Sequence, residues 1–400
     1  MNEKSEKRSL LASPALRTIL ASFICILIGL LVGFLILLFI NPENAFSKGF
    51  LRILQGGFYM APKGVGSVIA NAAPLIMTGL SVTFAFKTGL FNIGAAGQYT
   101  LGAFGALLFA IVLGMPWWVC LLASTLFGAV WGAIPGIFKA YLNVNEVITS
   151  IMFNWIGLYL VNEIIYAGGT GIMYDSGTTK TISISKTPQA MIPGGGSDGF
   201  LGGFFKMPST TIAIFLAIAV AILVYVILNR STFGYELKAC GHNKDAAKYA
   251  GINDKRNIVL SMVISGALAG FGAGLFYLSG VAEWNPQMST ALPMMGFNGI
   301  PAALLAASNP IGVIFSSLFI SHITMGGNYM PTQYFTKEIA DVITGVIIYL
   351  CAFSLLFSNW IGAAFTRKKK EAAAAATVQV APPLDTPPDG QKGKKGGDGK

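Results

Sequence analysis

Charged residues are scarce in this chain of 400 residues. Asp, Glu, Lys and Arg together make up 11% of it, whereas apolar residues make up 54%, and the mean hydropathy is +0.65. An average soluble domain carries about 25% charged residues, because its surface must face water. The composition therefore excludes an ordinary soluble protein and predicts an all-α, polytopic membrane helix bundle.

Residues that perform chemistry are equally few. The four cysteines, Cys25, Cys120, Cys240 and Cys351, show neither a disulfide framework nor the spacing of metal ligands. The sequence contains no clustered carboxylates and no nucleophile beside a base, so it predicts no enzyme, no catalytic residue and no metal site. The nucleotide-binding pattern G-x-x-x-x-G-K-[ST] is also missing, so a partner polypeptide must use any ATP and Mg²⁺.

Ten apolar stretches reach or approach the roughly 20 residues that a helix needs to cross a bilayer. They are 18–40, 66–86, 91–113, 117–138, 147–165, 209–229, 258–280, 291–307, 310–327 and 339–361. The eighth and ninth are separated only by Asn309 and Pro310, and we split them because one helix of that length would exceed the bilayer. Apart from groups near their ends, the stretches carry no Asp, Glu, Lys or Arg. Such charge poverty disfavours proton coupling and leaves a sodium-coupled secondary transporter as an alternative.

Lys and Arg set the predicted orientation. With the N-terminus inside and ten spans, 20 of the 27 basic residues lie on the cytoplasmic side, as the positive-inside rule requires. Residues 1–17 are then a cytoplasmic N-terminal segment, 18–366 the membrane domain, and 367–400 a low-complexity, disordered cytoplasmic tail. The net charge of +10 follows from this topology and from attraction to anionic lipid, and it predicts no nucleic-acid partner.

The longest charged and polar stretch between two spans is the 230–257 loop, RSTFGYELKACGHNKDAAKYAGINDKRN. It predicts a helix of about two turns that Asn243 caps at its N-terminus and Gly251 ends. A helix so short is marginal alone, so a partner or its flanks must hold it. The side formed by Ala246 and Ala247 is smooth, which fits insertion into a groove of another protein and fits a solvated loop equally well.

Residues 73–106 depart from a plain spanning helix. Pro74, Gly79 and further glycines interrupt the pattern, and Asn92 and Gln98 place amides near the membrane. Broken helix at membrane depth is tolerated only where it is buried in protein or lines a wet cavity. The glycines therefore indicate either close helix packing or contact with a solute.

The fifth stretch carries a polar face. Glu146, Ser150 and Asn154 follow each other at four-residue steps, so they fan through only about 80° of a helix. Polar groups in a span usually face the bundle interior or a pathway. This face therefore predicts either a translocation role or hydrogen bonds between helices.

Glycines also mark close helix packing in two other stretches. Gly128, Gly132 and Gly136 in the fourth and Gly266, Gly270 and Gly274 in the seventh recur every four residues. Each set therefore lines one stripe of its helix. Such stripes are typical of places where helix backbones approach closely.

Two short motifs suggest an inverted repeat. GLFNIG at 89–94 opens the third stretch, and MGFNGI at 295–300 lies early in the eighth. Five spans separate them, and an odd offset reverses direction across the membrane.

Residues 167–208 form a long outer loop rich in Gly, Ser and Thr, of a size that is often functional or flexible.

Three segments resemble a known family: GHNKDAAKYAGIN at 241–253, TGLFNIGAAGQ at 88–98 and IPGIFKAYLNVNEVITSIMFNWI at 134–156. They resemble permeases of ABC importers of the ribose, branched-chain amino acid and nucleoside group, and most closely the nucleoside branch that uses a basic-membrane-protein-type binding lipoprotein. The resemblance implies a nucleoside-translocating subunit in a bacterial plasma membrane, energised by a separate ATPase subunit. It also implies a second related permease, with a homodimer as the alternative. Import of ribose, other sugars or branched-chain amino acids is the alternative function.

The resemblance implies that the 230–257 loop docks on the ATPase. The residues that would hold this contact are Glu236, Gly241, Asn243, Ala246, Ala247 and Gly251. For the substrate path, aromatic rings suit stacking on a base, and amides or hydroxyls suit bonds to its edge or to a ribose. The candidates are Phe91, Asn92, Gln98, Ser150, Asn154, Trp155, Phe297 and Asn298. The chain itself would bind no cofactor.

Overall fold

The computed structural model describes residues 14–286 and 291–353. Residues 1–13 of the predicted N-terminal segment, residues 354–366 at the end of the predicted membrane domain, and the 367–400 tail lie outside the described residues. The described chain is mostly helical, which confirms the predicted all-α polytopic bundle.

The main helices are labelled in chain order. They are α1 (Pro14–Ile40), α2 (Lys63–Lys87), α3 (Ala95–Leu107, continued by a π-helical turn, Leu108–Val112), α4 (Trp117–Leu142), α5 (Glu146–Tyr166), α6 (Ala213–Arg230), α7 (Thr232–His242), α8 (Lys244–Tyr249), α9 (Asp254–Leu278), α10 (Met294–Leu305), α11 (Pro310–Asn328) and α12 (Lys337–Ala352). Within the described ranges, α1 to α6, α9 and α11 are long and apolar enough to cross a membrane.

The eighth predicted span, 291–307, is too long. Helix α10 has only 12 residues, begins after Pro293, and ends before Ala307 and Ser308, whose φ angles are +49° and +54°. At 1.5 Å per residue it is about 18 Å long, against about 30 Å of hydrocarbon in a bilayer. Helix α10 therefore reaches only partway across. Helix α12, the tenth predicted span, has 16 described residues.

The predicted interruption of residues 73–106 is confined to one place. Helix α2 runs unbroken through Pro74 and Gly79 to Lys87. The chain unwinds at 88–94, and α3 begins at Ala95 rather than at residue 91. Pro74 and Gly79 are both buried in the bundle. We call residues 88–94 the break.

Shorter segments connect the helices. Between α1 and α2 lie a helix (Pro42–Asn44), a π-helical turn (Ala45–Phe50), a helix (Leu51–Gln55) and a 3-10 turn (Gly56–Met60). The 167–208 loop contains 3-10 turns (Ala167–Gly169, Ile184–Lys186, Pro188–Ala190), the antiparallel strands β1 (Tyr174–Asp175) and β2 (Lys180–Thr181), and a helix (Phe200–Phe205).

The 167–208 loop is fastened to the bundle. Thr181 N donates to Trp284 O at 2.8 Å, and Trp284 N donates to Thr181 Oγ1 at 3.1 Å. Ile192 N donates to Leu278 O at 3.0 Å at the end of α9. These bonds explain why a segment rich in Gly, Ser and Thr takes a defined path here.

The glycine stripes of α4 and α9 pack against each other. A Cβ on Gly128 would lie 2.4 Å from Gly266 O and 2.7 Å from Gly270 Cα, and a Cβ on Gly132 would lie 2.5 Å from Met262 O. The α4–α9 pair is the most extensive helix contact in the described chain. The predicted packing role of these glycines is thus confirmed, because any larger residue would separate the two backbones.

Helix packing follows the pattern that an inverted repeat requires. An inverted repeat would relate α2 to α9, α3 to α10 and α4 to α11. The contacts of α9 with α3 and α4 would then correspond to the contacts of α2 with α10 and α11. Both sets of contacts are present. The two motif helices also meet: a Cβ on Gly296 would lie 2.5 Å from Ala96 Cα. Helix α2 is buried over most of its length at the centre of this arrangement.

Candidate functional site

The break between α2 and α3 is encoded by a helix C-cap. Leu90 N donates to Ala85 O at 3.0 Å and Gly89 N donates to Phe86 O at 3.1 Å, the bond pair of a Schellman motif. Gly89 has a φ of +72°, a left-handed conformation that glycine adopts without the penalty of a Cβ. The sequence TGL therefore ends α2 at this point.

Asn92 and Gln98 form a closed amide pair across the break. Asn92 Nδ2 donates to Gln98 Oε1 at 2.8 Å, and Gln98 Nε2 donates to Asn92 Oδ1 at 3.0 Å. Asn92 Nδ2 also donates to Ser81 Oγ of α2 at 3.1 Å. Asn92 is 0% exposed and Gln98 is 1% exposed. The pair therefore ties the break to both neighbouring helices.

Helix α5 holds the other side of the break. Asn154 Oδ1 accepts from Gly97 N at 2.7 Å, and Asn154 Nδ2 donates to Ile93 O at 3.1 Å. One turn earlier, Ser150 Oγ is buried and has no hydrogen-bond partner in the described chain. A Cβ on Gly94 would approach that Oγ to 3.0 Å, so Ser150 faces the break.

Four of the eight predicted path residues thus converge, and we call Asn92, Gln98, Ser150 and Asn154 the amide cluster. The cluster carries no charge. Its three amide side chains are hydrogen-bonded to other groups of the described chain, and the Ser150 hydroxyl is not. In this conformation its hydrogen bonds join the break to α2, α3 and α5. Its direct contact with a solute stays a prediction.

The other four predicted path residues, Phe91, Trp155, Phe297 and Asn298, are not joined to the amide cluster by any hydrogen bond described for this chain. Phe91 stacks on Phe86, with ring centroids 5.3 Å apart. Trp155 is 39% exposed on the outward side of α5, where it stacks on Tyr159. Phe297 and Asn298 are half-buried on α10.

The predicted polar face of α5 is shorter than expected, because Glu146 pairs with Lys139 at 2.9 Å at the helix end. Its carboxylate therefore takes no part in the amide cluster. The parts of the chain that the structure describes contain no group of three or more His, Cys, Asp or Glu side chains able to hold a metal ion.

The 230–257 loop forms the predicted short helix. Asn243 Oδ1 accepts from Ala246 N at 3.0 Å and so caps α8, and Gly251 follows the helix with a φ of +80°. Helix α7 precedes it, capped by Ser231 Oγ, which accepts from Gly234 N at 3.0 Å. The two caps explain how two short helices form side by side.

Only some of the predicted ATPase contacts face outward. Asn243, Ala246 and Gly251 are exposed, but Ala247 is 4% exposed and packs within this chain. Of the two alanines on the predicted smooth side, Ala246 is therefore open to a partner and Ala247 is not. Glu236 is half-buried and accepts from Asn257 Nδ2 of α9 at 3.4 Å.

Two tyrosines enlarge the outward surface. Tyr235 is 70% exposed and Tyr249 is 94% exposed. The sequence analysis did not single out Tyr235, because no periodic pattern around it indicated that its side chain would be exposed. Large exposed aromatic side chains are typical of contact surfaces.

Gly241 joins the 230–257 loop to the break. A Cβ on Gly241 would lie 2.7 Å from Thr88 C and 2.8 Å from Gly89 N, and a Cβ on Gly89 would lie 2.9 Å from Gly241 Cα. Thr88 Oγ1 also lies 2.5 Å from Ser261 Oγ of α9. The C-terminal end of α7 therefore rests directly on the backbone that begins the break, and Gly241 serves this internal contact.

Comparisons with known proteins show the family to which this sequence is similar. The family described as branched-chain amino acid transport system / permease component matches residues 64–352. The nucleoside ABC transporter permease protein NupB of Lactococcus lactis is 33% identical over 366 residues, which cover 89% of this chain and 96% of the relative. The guanosine ABC transporter permease protein NupP of Bacillus subtilis is 34% identical over 341 residues, 84% of this chain and 93% of the relative. The glucose ABC transporter permease protein TsgB13 of Haloferax volcanii is 28% identical over 353 residues, 86% of this chain and 89% of the relative.

Proposed function

This chain belongs to the family of branched-chain amino acid transport system permease components, and we propose that it is the nucleoside-translocating subunit of an ABC importer. Relatives named for nucleoside and guanosine transport match it over nearly its whole length at 33% and 34% identity. The sodium-coupled carrier considered above has no comparable support. The observation that carries the proposal is this full-length similarity, together with the neutral amide cluster at the break.

Nucleosides suit the chemistry of the cluster. Amides and a hydroxyl can bond a base edge or a ribose, whereas the carboxylate of a free amino acid is bound most strongly by a cationic side chain. Lys and Arg are absent from the interiors of the predicted spans. Sugars share this neutrality, and the relative named for glucose makes sugar import the second candidate.

The partners follow from the family. An ABC permease works with an ATPase and a substrate-binding protein, and we propose that the ATPase docks on Asn243, Ala246, Tyr249 and Gly251. Movement of the docked loop would reach the break through Gly241. Opening of the break would then release the amide groups of the cluster toward a passing solute.

We place a second permease subunit against the outward side of α5. This side presents a row of exposed apolar residues with the stacked pair Trp155 and Tyr159 at its centre. A homodimer remains the alternative to a related partner. Cross-linking of the Met152→Cys variant after native expression distinguishes them, because self-linked product indicates a homodimer and a mixed product indicates two permeases.

ATP-dependent uptake tests the substrate. The complete complex is reconstituted in vesicles, and guanosine, adenosine, uridine, ribose and leucine compete for uptake of a labelled nucleoside. We expect at least one nucleoside to be accumulated and to be displaced by another nucleoside alone. Accumulation of ribose or leucine without competition by any nucleoside contradicts the nucleoside assignment and leaves the importer architecture in place.

A further inference from the structure

A cleft of about 760 Å³ opens between α1, α2, α6, α10 and α11. Its lining comes from helix ends that our orientation places at the cytoplasmic leaflet, including Lys87 at the end of α2 and Asn229 at the end of α6. No Asp or Glu of residues 14–286 and 291–353 lines it. A cleft of this size is within the range that small ligands and lipid headgroups occupy.

Among the residues that the structure describes, Lys87 is the only charged one that lines the cleft. Its side chain is half-buried, and within residues 14–286 and 291–353 no carboxylate forms an ion pair with it. A second cation, Lys238 of α7, lies beside Asn229, which also lines the cleft. Lys238 Nζ reaches Asn229 Oδ1 at 3.5 Å, at the edge of the same cleft.

The two lysines lie on the two segments that meet at this contact, Lys87 at the end of α2 and Lys238 on α7, three residues before Gly241. The backbone oxygen of Lys87 would lie 2.8 Å from a Cβ on Gly241, so the residues that carry these like charges belong to segments in direct backbone contact. Like charges in a half-buried place destabilise the contact unless an anion lies between them. The chain offers no such anion among its described residues.

Apolar groups line the outward side of the cleft. Phe23 of α1 is 57% exposed and Phe315 of α11 is 68% exposed, and both line the cleft together with Ile26. Hydroxyl and amide groups also line the cleft, among them Asn229 and Ser308. A polar, cationic inner end with an apolar outward wall matches a phosphate headgroup and its acyl chains.

We propose that this cleft binds an anionic phospholipid of the cytoplasmic leaflet, whose phosphate lies between Lys87 and Lys238. The bound phosphate offsets the repulsion between α2 and α7 and so stabilises the contact between Gly89 and Gly241. This inference rests on the proposed orientation of the chain in the membrane. It is independent of which solute the permease carries.

Native mass spectrometry of the full-length chain in neutral detergent tests the site. Phosphatidylglycerol or phosphatidylcholine with matched acyl chains is added, and the lipids retained are counted. We expect phosphatidylglycerol to be retained preferentially. Lys87→Gln and Lys238→Gln should each weaken its binding about fivefold, the effect of about one basic residue at an anionic surface.

Two further variants separate charge from folding. Lys87→Arg keeps the positive charge and should retain phosphatidylglycerol. Lys63→Gln removes a cation at the opposite end of the same helix, where the side chain is exposed, and should leave binding unchanged. Equal retention of the two lipids, or equal loss in the Lys63→Gln variant, overturns the proposal.

Competing occupants give distinct results. If inorganic phosphate at millimolar concentration displaces the lipid, the cleft is a site for soluble anions and the proposal is wrong. If phosphatidylglycerol binds only after removal of residues 1–12, which carry Glu3 and Glu6, the chain's own terminus fills the cleft and the proposal is again wrong. None of these measurements requires transport, so a failed nucleoside assignment would leave them unchanged.

Discussion

Replacement of Gly241 by alanine should uncouple the ATPase from the permease. The added Cβ would lie 2.7 to 2.8 Å from Thr88 C, Gly89 N and the oxygen of Lys87. Carbon atoms pack best at about 3.5 to 4.0 Å, so α7 and the break must separate by roughly 1 Å. Overpacking of this kind costs about 1 to 3 kcal/mol, which corresponds to a change of about 5- to 150-fold in an equilibrium.

The measurements are nucleoside uptake and ATP hydrolysis in the reconstituted complex. We expect Gly241→Ala to retain its ATPase subunit on purification, because the outward surface of α8 is unchanged. We expect its rate of nucleoside uptake to fall by about 5- to 150-fold. Gly345→Ala is the matched control, since Gly345 lies in α12 with nothing within 4 Å of a Cβ. Wild-type uptake by Gly241→Ala, with normal coupling to hydrolysis, would refute the reasoning.

Three further outcomes follow from the structure. Cysteine at Ser185 should be labelled in intact cells by an impermeant thiol reagent while cysteine at Thr232 is not, and the reverse pattern would contradict the orientation. Asn154→Ala leaves the buried Gly97 N and the half-buried Ile93 O without these partners, so the free energy of unfolding of the purified chain should fall by about 1 to 3 kcal/mol for the buried group, seen as a lower melting temperature. Asn154→Asp places a carboxyl group at a position that is 1% exposed, so it should lower the melting temperature at least as much as Asn154→Ala. Gly128→Leu should prevent accumulation of folded chain in membranes, because α4 and α9 cannot separate without losing their whole contact, and normal accumulation would argue against that packing.

Spacing in the sequence was enough to predict features that depend on one helix alone. The four-residue recurrence of Gly128 and Gly266 indicated close packing, and the pattern from Asn243 to Gly251 indicated a capped short helix. Both are confirmed. Such features are local, because a cap or a stripe depends on residues within a few turns.

Features that depend on distant segments were predicted less well. Asn92 and Gln98 are only six residues apart, yet nothing in their spacing shows that they bond each other and Ser81 rather than a solute. The contact of Gly241 with Gly89 joins segments about 150 residues apart, and a glycine near the end of a helix was its only signal. The eighth span was drawn too long because hydropathy continues past Ala307, where the backbone turns.

The amide cluster sets how readily the break can open. Five hydrogen bonds hold it: three join Asn92 to Gln98 and Ser81, and two join Asn154 to Gly97 and Ile93. At a net value of about 1 kcal/mol each, they would oppose opening by about 5 kcal/mol, so we expect about one chain in several thousand to be open at rest. A permease closed to that degree leaks little, and a shift of this size is what two partners can supply by binding the open state more tightly. We therefore propose that work delivered through Gly241 opens the break, and that this contact is the step at which ATP hydrolysis and solute passage are joined.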